Sequence, residues 1–91
     1  MKHNSYFEGK VQSLAMSEAE GPATVGVIEP GAYKFSTSSQ ERMTVIAGSL
    51  LVRIPGAEAG TYSAGESFVV ASGISFEVEA QADVAYVCRY R

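Results

Sequence analysis

Apolar and polar residues alternate along this chain in short runs, and almost every run ends at a Gly or Pro turn signal. The runs are Tyr6–Leu14, Ala23–Ile28, Tyr33–Thr37, Met43–Ala47, Leu50–Ile54, Ser67–Ala71, Ile74–Val78 and Val84–Tyr90. They are rich in Val, Ile, Phe, Tyr and Thr, the residues that suit a pleated, half-buried surface. Between them stand Glu20-Gly21-Pro22, Glu29-Pro30-Gly31, Ala47-Gly48-Ser49, Pro55-Gly56, Ala64-Gly65-Glu66 and Ser72-Gly73. Gly permits positive φ and Pro fixes φ at about −65°, so each is a turn with a mechanism. The pattern predicts an all-β chain of about eight short strands, a β-sandwich, jelly roll or small β-barrel. A helix competes only at Ser17–Glu20, a stretch too short to form one. A sheet this small leaves open edges, which predicts closure into a barrel or pairing across a dimer.

Size narrows the picture to one domain, residues 1–91. A chain of 91 residues buries roughly 60–65% of the surface it exposes when unfolded, enough for a single core. Seven Lys and Arg against ten Asp and Glu give a net charge of −3. That leaves no basic field to hold a nucleic-acid backbone or an anionic membrane. No stretch approaches the ~20 apolar residues that span a bilayer, and the opening MKHNSYFEGK lacks the apolar run of a signal peptide. With one unpaired cysteine, Cys88, a cytoplasmic location is expected. No residue set is expected to hold a metal. The one histidine, His3, falls near the N-terminus, and a catalytic metal needs about three ligands.

Specific spacing begins at Gly31. Alternation places Tyr33, Phe35 and Thr37 on one face, with Met43 and Val45 on the interior face of the next strand. Six residues separate Glu41 from Gly48, five separate Gly65 from Ala71, and two separate Gly73 from Phe76. This resembles the two motifs of the cupin superfamily, a compact barrel of six to eight strands. In that resemblance Glu41, Gly48, Gly65 and Gly73 keep the motif glutamate and glycines. Phe35, Thr37 and Phe76 stand where the three metal-binding histidines would be, and Ala71 replaces a proline. Glu41 without imidazole partners is a poor transition-metal site, so metal chemistry is disfavoured.

Read whole, the chain resembles a family of very small cupins, the pyrimidine/purine nucleoside phosphorylases. The resemblance rests on Asn4-Ser5-Tyr6-Phe7-Glu8-Gly9-Lys10-Val11, Gly31-x-Tyr33-x-Phe35-Ser36-Thr37, Glu41-x-Met43-Thr44-Val45-Ile46-x-Gly48 and Tyr86-x-Cys88-Arg89-Tyr90. It covers nearly the whole length, departing at Arg91 and in the loop Gly56–Gly60. It implies a metal-free homodimer with no cofactor. Such an enzyme would use inorganic phosphate as co-substrate and split many nucleosides into free base and ribose 1-phosphate.

That chemistry assigns roles. Positive charge builds on the sugar and negative charge on the departing base, so the site needs a phosphate cradle, an anchor for the ribose and a flat pocket for the base. Arg89, Lys10, Ser36 and Thr37 are the cradle candidates, Arg89 because its planar fork binds phosphate bidentately. Alternation gives Tyr86, Cys88 and Tyr90 one face and Arg89 the other, without deciding which faces inward. Glu41 is the leading polar residue. It is suited to bind the ribose hydroxyls, to stabilise the oxocarbenium charge, or to protonate the base if its pKa is raised. A plainer reading gives it an ion pair with Arg89 or Arg53. Tyr33, Phe35 and Phe76 are expected to wall the cavity, stacking on any base. Tyr6 and Phe7 are expected to cap it or to pack across a dimer. Phe68 and Cys88 read as core, Cys88 because no internal histidine is available to activate it. The alternative function is a metal-free cupin that binds a nucleoside or sugar without catalysis. A third reading is a dimer whose barrel is filled by side chains.

Overall fold

The computed structural model describes residues 1–91. Ten strands follow one another: β1 (His3–Tyr6), β2 (Val11–Glu18), β3 (Gly21–Ile28), β4 (Gly31–Ser36), β5 (Glu41–Ala47), β6 (Ser49–Arg53), β7 (Gly60–Ser63), β8 (Ser67–Val70), β9 (Ser75–Ala80) and β10 (Val84–Tyr90). There is no helix, and so none long and apolar enough to cross a membrane. The strands form a six-stranded sheet in the order β1-β2-β3-β10-β5-β8 and a four-stranded sheet in the order β4-β9-β6-β7. All the pairings are antiparallel. The expected closure into a barrel is not met. The hydrogen-bonded ladders end at β1, β8, β4 and β7, and the two sheets close on each other through side chains instead.

Alternation decides which side chains meet. Val11 and Ser13 on β2, Met43 and Val45 on β5, Phe76 and Val78 on β9, and Tyr86 and Cys88 on β10 are all buried. Fifteen such residues form one apolar cluster between the sheets. The opposite face of the larger sheet keeps Leu14, Val25, Val27, Ile46 and Val69 exposed, and Leu14, Val25 and Val87 lie side by side in register.

Two elements differ from the pattern. The run Tyr6–Leu14 is two strands joined by a tight turn, in which Phe7, Glu8 and Gly9 take φ of 52°, 58° and 86°. The amides of Gly9 and Lys10 donate to the carbonyls of Tyr6 and Phe7. Phe is a poor residue for positive φ, so alternation alone reads straight through the turn. What holds Phe7 there is tertiary: its ring packs on Tyr33 at 5.0 Å and edge-on to Phe35 at 5.5 Å. The second unread element is β7, a four-residue strand beside β6 that carries one inward aromatic, Tyr62, against Phe68 at 4.8 Å. Gly26 has a different local reason. A Cβ there would come within 2.6 Å of the Tyr86 ring and 2.7 Å of the Gln12 carbonyl, so only glycine lets Tyr86 cross β3.

Candidate active site

A cavity of about 330 Å³ opens between β4 and the β1–β2 hairpin. Its floor comes from the inward faces of β5 and β10: Glu41, Met43, Tyr86, Cys88 and Tyr90. Phe35, Ser36 and Lys34 of β4 form one wall with Phe76 of β9, while Tyr6, Phe7 and Ser13 form the other. Phe35 and Phe76 are register partners across β4 and β9, with ring centroids 5.9 Å apart and planes inclined by 35°.

Glu41 is half-buried at the start of β5 and faces this space without a cation. Arg89 Nε and Nη2 donate to the two oxygens of Glu18 at 2.9 and 3.3 Å, Arg91 reaches the same carboxylate at 3.1 Å, and Arg53 pairs with Glu79 at 3.5 Å. The plainer reading of Glu41 as an ion-pair partner of Arg89 or Arg53 is therefore not met. Its carboxyl has one hydrogen-bond partner, the Cys88 thiol, with Sγ 3.4 Å from Oε1. Desolvation pushes the Glu41 pKa up, and the Cys88 hydrogen bond partly opposes it. The floor beside it is neutral: burial pushes Tyr86 and Cys88 up to about 12, and raises Tyr90 as well. The Tyr90 hydroxyl shares a 2.9 Å hydrogen bond with Thr24 Oγ1.

Glu41, Phe35, Phe76, Ser36 and Tyr6, of the residues singled out from sequence, converge on the cavity. Four others do not. Arg89 alternates to the far face of β10 and is tied to Glu18. Lys10 is exposed at the end of the turn, with its backbone carbonyl accepting from Glu29 N. Thr37 is buried and closes the 71–74 turn, its hydroxyl donating to the Ala71 carbonyl at 2.7 Å and accepting from Ile74 N at 3.0 Å. Tyr33 is buried behind Phe7, its hydroxyl donating to the Glu29 carbonyl at 2.8 Å. These four expected site residues are not among the side chains that line this cavity. Conversely, Cys88 is buried as expected for a core residue and yet lines the cavity, and Tyr86, Tyr90, Ser13 and Lys34 were missed. The period of two along β10 puts Tyr86 and Tyr90 on the face of Cys88, so the reading of Cys88 as core was the signal that pointed both tyrosines inward.

Two facing antiparallel sheets around a half-buried carboxyl and aromatic walls define a cupin-like domain. The solved EutQ protein of Clostridium difficile superposes with TM-score 0.73 at 16% identity, covering 86% of this chain and 64% of its own. Ectoine synthase from P. lautus gives 0.72 at 14% identity, with 87% and 62% covered. These two share the fold alone. The sequence profile of the pyrimidine/purine nucleoside phosphorylases matches residues 1–90, and the chain belongs to that family. A relative of that name from Marinobacter nauticus is 50% identical over 88 residues, covering 96% of this chain and 95% of its own. Another, from Pseudomonas putida, is 46% identical over 91 residues, with 99% and 97% covered. A crystal structure of a protein of unknown function from Vibrio parahaemolyticus superposes with TM-score 0.94 at 46% identity, with 99% and 97% covered.

Proposed function

We propose that this single domain carries out the reaction for which its family is named, phosphorolysis of purine and pyrimidine nucleosides, with Glu41 at the sugar. The observation that carries the assignment is a carboxyl with no cationic partner, set among aromatic walls in a cavity of about 330 Å³. Such a volume lies in the range of small-molecule sites. The base stacks against Phe35, where any π-face serves. Glu41 accepts from the ribose hydroxyls and stabilises positive charge as the C1′–N bond lengthens. A phosphate oxygen forms the new bond to C1′. The base leaves with the electron pair of the broken bond and takes up the proton given up by hydrogen phosphate, which leaves ribose 1-phosphate.

Ser36, which shares a 2.9 Å hydrogen bond with Ser75, and Lys34 at the cavity mouth are the proposed phosphate contacts, in place of Arg89, Lys10 and Thr37. The phenols of Tyr86 and Tyr90 stay protonated through neutral pH, so they offer donors without adding charge. Metal independence is supported by the donor set: Phe35 and Phe76 supply no lone pairs, and no three His, Cys, Asp or Glu side chains cluster. The exposed apolar face of Leu14, Val25, Val27, Ile46 and Val69 supports a homodimer. The unpaired Cys88 thiol accords with a cytoplasmic location.

Purified protein is incubated with uridine, adenosine and guanosine, with and without phosphate and with EDTA. Base released only with phosphate, and equally with EDTA, is the expected result. No release from any nucleoside overturns the enzyme reading, and nucleoside binding without release would favour the non-catalytic module. Loss of activity on chelation overturns metal independence.

A further inference from the structure

We infer that Cys88 is a positioning residue for Glu41: its thiol donates to one carboxyl oxygen and leaves the other free to meet substrate. The inference rests on the reading of Glu41 as the sugar-binding carboxylate. Cys88 is buried on β10, and Glu41 is on β5 next to it in the sheet, with Glu41 in register with Tyr90. The Sγ–Oε1 contact of 3.4 Å is the one hydrogen bond the carboxyl makes within the chain. Oε2 has none, and Glu41 and Cys88 line the same cavity.

A thiol suits this position for two reasons. Its sulfur fills core volume as a small hydrophobe. As a weak donor, it orients the carboxyl without neutralising it, as an arginine would. Tyr90, two residues beyond Cys88 on β10 and in register with Glu41, is itself anchored to Thr24. The titratable side chains lining the cavity with Glu41 are Cys88, Tyr86 and Tyr90 from β10, Tyr6 from β1 and Lys34 from β4. β8 brings only Phe68 and Val70 to the inner side of β5.

The chain has one cysteine, so its infrared spectrum has a single S–H stretching band, and pairing can be read without any assay of activity. In the wild type this band is expected at the lower frequency of a hydrogen-bonded thiol. It should shift as Glu41 titrates and move to the free-thiol position in Glu41→Leu. In kinetics, Cys88→Ala is expected to raise the nucleoside KM about tenfold, the size of a lost hydrogen bond to a charged group, with the phosphate KM unchanged. The acid limb of kcat/KM should move to higher pH, because a donor to the ionised carboxyl is gone. Cys88→Ser, which keeps a donor, should restore both. A band insensitive both to pH and to Glu41→Leu, or an acid limb unmoved in Cys88→Ala, overturns the inference. A Glu41-sensitive band in a protein that releases no base sustains the pairing while the phosphorylase reading falls.

Discussion

Phe35 and Phe76 face each other across β4 and β9 as register partners, with ring centroids 5.9 Å apart. In the resemblance to the cupin motifs they stand at two of the three histidine positions. A pair of imidazoles there would converge on an ion, whereas these rings make a flat apolar wall. Phe35 is the half-exposed member and Phe76 is fully buried, so Phe35 can be altered without emptying the core. Phe35→Leu is expected to raise the KM for uridine and adenosine alike by about tenfold, within the range of base stacking on an aromatic. Steady-state kinetics with both substrates and with phosphate checks this, and an effect confined to the phosphate KM would remove Phe35 from the base pocket.

Phe7 holds an unfavourable backbone conformation at the lip of the same cavity. Positive φ at a bulky residue costs on the order of 1–3 kcal/mol, offset here by contacts with Tyr33 and Phe35. Phe7→Gly removes both the strain and the packing. The expected outcome is a small change in Tm together with a nucleoside KM raised severalfold. Thermal unfolding and kinetics on one preparation separate the two effects, and unchanged KM would show the ring to be a structural plug.

The carboxyl of Glu41 links stability to pH. Its folded pKa lies above the ordinary 4.5, so its contribution is fully present below that value and is lost as pH rises through the raised folded pKa. At neutral pH the wild type therefore carries a desolvated charge that Glu41→Gln does not. The variant is expected to melt higher at neutral pH, with the gap closing as pH falls below 4.5, while kcat/KM falls by about 10²-fold. Melting curves across that range test the sign. A variant less stable at neutral pH would mean that the charge is compensated.

Glu18 acts in the opposite sense. The hydrogen bond from Arg89 holds its carboxyl below the ordinary range. Its contribution is thus present above that range and lost as pH falls through the lowered value. Lying at the surface, the pair supplies little stability and is screened by salt. Glu18→Gln is expected to change Tm only slightly, and less still in high salt. A large, salt-insensitive drop would show that Arg89 needs Glu18 for more than a surface pair.

Val25 lies in the middle of the apolar outer face, between Leu14 and Val87 in register. Val25→Glu puts a charge there without touching the core. If two copies meet through this face, light scattering of the wild type gives twice the chain mass, and that of the variant gives one. A dimer unaffected by the substitution would place the interface elsewhere.

Much of the architecture was legible in period-two alternation, because burial between two sheets selects every second residue. The runs at Ala23–Ile28, Tyr33–Thr37, Met43–Ala47 and Val84–Tyr90 match β3, β4, β5 and β10 closely. Alternation failed where tertiary contact overrides local preference. Phe7 and Glu8 carry no turn signal, and β7 is short, with its inward face marked by Tyr62 alone. The spacing of Glu41 to Gly48 placed the carboxyl on the right strand, and the resemblance to small cupins named the family.

Alternation can sort side chains into two sets, but which set faces inward is settled by packing between sheets. In β10 the interior took Tyr86 and Cys88, with Tyr90 packed partly buried against the same core, and Arg89 went out to Glu18. Thr37 shows the same limit, since its hydroxyl is bound by a turn 34 residues away in sequence. What the sequence by itself determined was strand content, the place of Glu41 on its strand and a shortage of metal ligands, all properties of residue type and period. What only the tertiary structure decided was which polar groups find partners, because each partner comes from a distant strand. That pairing left Glu41 with a thiol in place of a guanidinium.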